Sequence, residues 1–391
     1  MWVATTLAAV GFLAVAVVTQ FYGYRLGGTI TVPILTVYTL TNVLMLPVFV
    51  GSTVLAFLGL ALLKRRTLLY GRDELTAAIL IGMVIPVVVV VAATSNGGSV
   101  FETRTAVFVG SILPGLAAYN LHQLKPEYRR ADLLGTVGLF VALLAAGWLL
   151  VTPAMAAAYG TLTPPILFSS AADIAVFKNA VVGIEPEPVV IPRLIAVGVL
   201  TVGLFLAETF RRWYDVRIGV ITATLLAIFV FTNVWFLLLY AVVFVVGTIT
   251  MATINRVTLR YGRVLLGVGA AVALVATLPV TLALPIDRGL TAFFTAIIAG
   301  VSAYGAHATA PRENKLVLPL QVAVFVPTLL CLGLLATPPT RGFPQTVTLP
   351  LVGVAAAVVL VALSYVRYIT VRQPSDAVVL EGSVLSEGDG T

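Results

Sequence analysis

The residues best suited to chemistry are arginines, tyrosines, glycines and histidines, and they recur as a set. Thr67-Leu68-Leu69-Tyr70-Gly71-Arg72 matches Thr258-Leu259-Arg260-Tyr261-Gly262-Arg263 at five of six positions. Tyr22, Arg25 and Gly27 fall on Tyr214, Arg217 and Gly219, and Thr41-Asn42-Val43 falls on Thr232-Asn233-Val234. Gly115, Ala118, Tyr119 and His122 fall on Gly300, Ala303, Tyr304 and His307, with Arg104 near Arg288. The offset drifts only from 192 (Tyr22 to Tyr214) to 184 (Arg104 to Arg288). Self-similarity of this kind reads as a tandem duplication of one unit.

Guanidinium forks suit bidentate contact with carboxylates, so Arg25, Arg72, Arg104, Arg217, Arg263 and Arg288 are candidate contacts for an anionic chain. The plainer reading makes most of them topology anchors or structural ion-pair partners. Arg104 and Arg288 stand beside Glu102 and Asp287. There a local salt bridge is the first expectation and the lining of an exit path the second. His122 and His307 are candidate proton-relay groups, against the commoner role of a helix C-terminal cap. Tyr70 and Tyr261 read as interface anchors or as part of a docking surface for a soluble partner. Gly71 permits the tight turn between them and the next helix.

Composition says what environment must hold these residues. The 391-residue chain is 60% hydrophobic and 10% charged, with a mean hydropathy of +1.08. A soluble domain is about half apolar and about a quarter charged. That excludes a soluble enzyme, a secreted disulfide scaffold and a disordered chain. Long unbroken apolar runs point to spanning helices and not to a barrel. Cys331 is the single cysteine, and His122 and His307 are the only histidines. No metal or cofactor is expected. No Walker A, HExxH, CxxC or nucleophile-elbow pattern occurs, so the expected role is non-catalytic. The net charge is +7. The excess serves topology and contact with anionic lipid. Nucleic acid is not expected as a partner, because the basic residues sit in short separate loops.

Thirteen apolar segments are legible: 2–20, 30–44, 46–63, 75–93, 105–121, 133–151, 193–210, 218–231, 234–253, 264–283, 290–306, 316–336 and 349–366. Segments 30–44 and 218–231 are short enough to be re-entrant half-helices. The expected fold is all-α, a polytopic membrane helical bundle of two parallel six-segment repeats plus a C-terminal helix. The expected divisions are 1–151, a linker or lid at 152–192, 193–337, a final helix at 338–366 and an acidic tail at 367–391. Five basic loops, each placed on the cytoplasmic side of a plasma membrane, put the N-terminus outside and the C-terminus inside. The first charge is Arg25, so 2–20 reads as a retained span and not a cleaved leader. Pro33 and Pro114 lie in apolar segments of the first copy, where Leu225 and Ala299 stand in the second. They mark the first copy as the one expected to carry broken helices.

The first copy also carries a resemblance. Gly23-Tyr24-Arg25-Leu26-Gly27-Gly28 leading to Val32-Pro33, then Leu69-Tyr70-Gly71-Arg72, then Glu102-Thr103-Arg104, then Ile112-Leu113-Pro114-Gly115-Leu116-Ala117 together resemble the poly-γ-glutamate synthase membrane subunit family, PgsC/CapC. The resemblance covers roughly residues 10–151 and, more weakly, 195–337. It implies a subunit of a complex that makes and exports an anionic γ-linked glutamate polymer or capsule. It further implies a cytosolic ATP-dependent ligase subunit as partner and an accessory membrane or exported subunit. The alternative is a stand-alone secondary transporter or channel for a small organic anion.

Overall fold

The computed structural model describes residues 1–68, 70–95, 112–183, 191–214, 219–259, 262–309 and 311–372. Among these there are fifteen helices and no strand. The first six are α1 (Trp2–Tyr22), α2 (Thr31–Thr41), α3 (Met45–Arg66), α4 (Arg72–Ser95), α5 (Ile112–His122) and α6 (Pro126–Leu150). Two short helices follow, α7 (Pro153–Tyr159) and α8 (Asp173–Phe177). The next six are α9 (Arg193–Tyr214), α10 (Val220–Thr232), α11 (Trp235–Thr258), α12 (Arg263–Ala283), α13 (Gly289–Ala308) and α14 (Pro311–Leu335), and α15 (Leu349–Arg372) ends the bundle. Among the described residues, eight helices are long and apolar enough to cross a membrane: α1, α3, α6 and α11 to α15. The protein is a multi-pass membrane protein. Exposed leucines and valines along α3, α6, α11 and α15 make a surface that water would not tolerate.

The two short apolar segments become α2 and α10. Eleven residues rise only about 16 Å, roughly half of a ~30 Å hydrocarbon core. Every residue of α2 is buried, as are residues 222–232 of α10, as expected of helices that are apolar all round. Pro33 lies in the first turn of α2, where its missing N–H interrupts nothing. It fits against α1 only because residue 11 is glycine: a Cβ there would lie 2.8 Å from the Pro33 ring. Both short helices stop at an asparagine. Asn42 Oδ1 accepts from Leu44 N at 3.0 Å, and Asn233 Oδ1 accepts from Trp235 N at 3.0 Å. Each side chain satisfies a donor the next helix would otherwise orphan.

Helix pairing follows one scheme in both halves. Helices α3, α4 and α5 pack on one another, and so do α11, α12 and α13. Helix α2 lies on α6 as α10 lies on α14, and α1 touches α2 and α6 as α9 touches α10 and α14. Between the halves, α1 packs on α12 and α4 meets α9. Exchanging the halves maps each of these contacts onto the other, although the first is far more extensive. The core runs across the seam and contains the fully buried Phe12, Phe231, Phe236 and Phe293.

Contacts also define two ends. At the basic end, Lys64 Nζ lies 2.9 Å from Glu74 Oε1 and Gln123 Nε2 donates to Glu74 Oε2 at 3.0 Å, tying α3, α4 and α5. His307 and Asn255 meet there, and Phe210 and Tyr214 of α9 pack with Leu316 of α14 and Val366 of α15. At the far end, Val43 N donates to Asp173 Oδ2, and Asn233 Nδ2 and Arg341 Nη1 both donate to the Pro285 carbonyl. Within the segment expected as a linker or lid, Ile166, Leu167 and Phe168 are buried in the core, and residues 184–190 lie outside the described residues.

Glu74 is 2% exposed, and truncating it strands a lysine and an amide. Glu74→Ala should cost roughly 1–3 kcal/mol, visible as a lower thermal midpoint of the detergent-purified chain.

Candidate functional site

Among the described residues, the loop between α1 and α2 has the densest run of left-handed backbone. Helix α1 ends on Gly23 with φ +71°. Leu26, Gly27 and Gly28 then take φ values of +47°, +66° and +111°. Such successive left-handed positions turn N–H groups toward one point and form an anion-binding nest. Asp132, in the second turn of α6, fills it. Its Oδ1 accepts from Arg25 N at 2.6 Å and Leu26 N at 2.8 Å, and its Oδ2 faces Gly27 N at 3.5 Å. Asp132 is 1% exposed. Asn120, on α5, braces the same loop by donating to Gly27 O at 3.4 Å, and is itself held by donating to Leu116 O of its own helix at 2.8 Å. A side chain at Gly28 would collide with Asn120 Nδ2 at 2.5 Å. The half-buried Arg25 is thus held by its own backbone N–H.

Arg263 comes to this loop from the other half. Its helix packs along α1, where Gly267 sits within 3.3 Å of Phe12 O, Ala16 Cβ and Thr29 Cγ2 if given a Cβ. One turn earlier, Arg263 lies in electrostatic range of Arg25, Tyr119, Asp132 and Tyr304. Two candidates from different halves, Arg25 and Arg263, therefore act on each other electrostatically across the α1–α12 contact.

The other candidates are dispersed. Tyr70 is 79% exposed at the basic end, and Gly71 takes φ +63° with open space around it. Gly262, in the matching turn, takes φ +70°. Arg72 opens α4; its side chain lies outside the described residues, as do Arg104, Arg217 and Tyr261 entirely. Pro114 and Gly115 are buried, with Gly115 against the α4 backbone. His122 Nε2 is 2.9 Å from Phe57 O, and its ring stacks on Phe57 at 4.1 Å. His307 Nε2 meets Asn255 Nδ2 at 2.8 Å. Both histidines join the fifth helix of a half to its third. Arg288 is buried at the N-terminus of α13, at the far end. Its neighbour Asp287 lies 3.8 Å from Arg341.

Sequence reasoning did not single out Asp132, Asn120 or Glu74. One signal was available for Asp132: it is the last charge before a long apolar run, two residues beyond Arg130, the last cation of its basic loop. Among the described residues, no three His, Cys, Asp or Glu side chains gather as a metal site would require.

A comparison with protein families matches residues 10–130 to capsule biosynthesis CapC. The matched stretch starts inside α1 and ends in the first turns of α6, so it takes in the nest loop, Arg25, the Tyr70-Gly71-Arg72 turn, Gly115 and His122. No curated protein and no solved structure matches the chain. Over residues 10–130, under a third of its length, the chain is similar to the capsule biosynthesis CapC family.

Proposed function

We propose that the chain is a non-catalytic membrane subunit of a complex that makes and exports a poly-γ-glutamate-type capsule polymer. The observation that carries this reading is the family match over 10–130, in a helical bundle whose described basic turns gather at one end. In this reading the basic end faces the cytoplasm of a plasma-membrane-embedded protein, following the positive-inside rule. The exposed Tyr70-Gly71 turn and the neighbouring Lys64-Arg65-Arg66 run dock a cytosolic ATP-dependent ligase subunit. An accessory membrane or exported subunit joins at the far end, and the anionic polymer passes outward. The halves descend from one duplicated unit, a reading supported by the matching order and pairing of their six helices.

Affinity purification of the tagged chain from native membranes tests this, together with exopolymer yield after gene deletion. Recovery of an amide-ligase partner and loss of polymer are expected. A normal polymer yield without the chain would end the proposal. A Tyr70→Ala, Arg65→Gln, Arg66→Gln triple variant should lose most of the ligase yet keep its thermal midpoint, since exposed substitutions usually stay within about 0.5 kcal/mol.

The paired short helices α2 and α10 favour one second reading, a secondary transporter for a small organic anion, because discontinuous helices commonly line transport sites. Gradient-driven anion uptake by the purified chain in liposomes would select it.

A further inference from the structure

Among the described residues, Arg263 Nη1 is the one atom of a charged side chain that is buried without a hydrogen-bond partner. A buried charged donor left unsatisfied costs at least about 1–3 kcal/mol, so stability gives no reason for the arrangement. Among the described residues, Asp132 is the only acid acting on Arg263, and its Oδ1 already accepts from the N–H groups of Arg25 and Leu26. Arg25 adds a second cation. Tyr119 and Tyr304, which occupy equivalent places in the two halves, complete the set. The second half cannot build the same site for itself: six residues after the proline that opens its sixth helix, Val317 stands where Asp132 stands in the first.

We propose that the seam between the halves at the basic end is a single carboxylate-binding site, built from Arg25 of the nest loop and Arg263 of α12, with Tyr119 and Tyr304 beside it. Arg263 Nη1 donates to one carboxylate oxygen, and the Arg25 guanidinium stabilises the charge. Asp132 is a positioning residue that holds the loop and hence Arg25. The ligand is a free α-carboxylate of a γ-linked glutamyl chain, which rests on the polymer reading above. A lipid phosphate fits less well. Arg263 follows the face of α12 that packs on α1 within the bundle, away from the lipid-facing rim where headgroups gather.

The experiment is calorimetric titration of the full chain, in phosphatidylcholine nanodiscs, with a synthetic γ-linked tetraglutamate. Arg263→Gln and Arg25→Gln should each weaken binding about tenfold or more, as loss of a charge-assisted pair does. Arg256→Gln, exposed in the last turn of α11 at the same end, should stay within about twofold. Arg263→Gln should also leave the thermal midpoint unchanged or higher. Should it unfold, Arg263→Lys keeps the charge without the fork and should still weaken binding. No binding by the wild-type chain, or equal binding by the Arg263 variants, overturns the site. So does binding abolished when phosphatidylglycerol replaces part of the phosphatidylcholine, which would assign the seam to a headgroup. Ligase recovery separates this from the complex reading. Tetraglutamate binding without a ligase partner leaves the site and removes the docking role, and a ligase partner without binding does the reverse.

Discussion

Asp132→Ala should lower the thermal midpoint of the purified chain by many degrees and free the loop between α1 and α2. The carboxylate is 1% exposed and accepts two short bonds from Arg25 and Leu26 N–H. Each buried donor left without a partner costs about 1–3 kcal/mol. Leu26 adds to the loss, because a non-glycine residue at φ +47° persists only where its surroundings hold it. The sum, roughly 2–6 kcal/mol, is a large part of a typical folding stability of about 5–15 kcal/mol. Asp132→Asn should be milder, since its amide oxygen can still accept from both donors. Thermal melts of the two variants in one detergent check this. Equal melts for Asp132→Ala and wild type would mean that the loop is held by Asn120 and burial alone.

Gly115→Leu should give a chain that does not accumulate in the membrane. A Cβ at Gly115 would sit 2.3 Å from Ala78 O and 2.6 Å from Ile79 Cα. Both are backbone atoms and cannot rotate away. The approach is reciprocal: a Cβ at Gly82 would lie 2.4 Å from Gly115 N. Small residues allow such close helix contact in membranes, where dispersion and packing replace the hydrophobic drive. Even Gly115→Ala must push α4 from α5, at a cost of about 1–3 kcal/mol or more. Gly300 is the matching position, and there an added Cβ would meet Ala270 Cα and Ala273 Cβ at 3.0 Å. Gly300→Ala should therefore be the milder of the two, and membrane abundance with thermal midpoints of both alanine variants gives the ranking. Reversal of that order would contradict the packing.

Much of this was legible in advance for simple reasons. Long apolar runs can satisfy their backbone in lipid only as helices, so each of the thirteen segments carries a helix among its described residues, while positions 105–111 of the fifth lie outside them. The Thr-Asn-Val repeat was legible only as a repeat, with segment 30–44 read through Asn42; the structure shows its asparagine ending each short helix and capping the next. Glycines in the Tyr70-Gly71 and Gly262 turns announced left-handed backbone. Residues of the candidate site were less legible. Arg25, Arg263 and Arg288 look alike in sequence. Yet Arg288 is buried at the far end, while Arg25 and Arg263 act on each other from 238 positions apart in the chain. Glu74 and Asp132 looked like ordinary loop acids, and nothing local distinguishes an exposed carboxylate from one sealed among backbone donors.

The amino-acid order by itself determined the solvent, the helical class and the CapC resemblance of residues 10–130, because each depends on contiguous composition or on a short motif. Tertiary structure decided which half supplies which part of the seam. Asp132 reaches the N–H groups of residues 25–27 only when α6 lies beside the end of α1, and Arg263 reaches Arg25 only when α12 packs along α1. Charge pairing inside a bundle depends on distance in space, and no spacing along the chain encodes it.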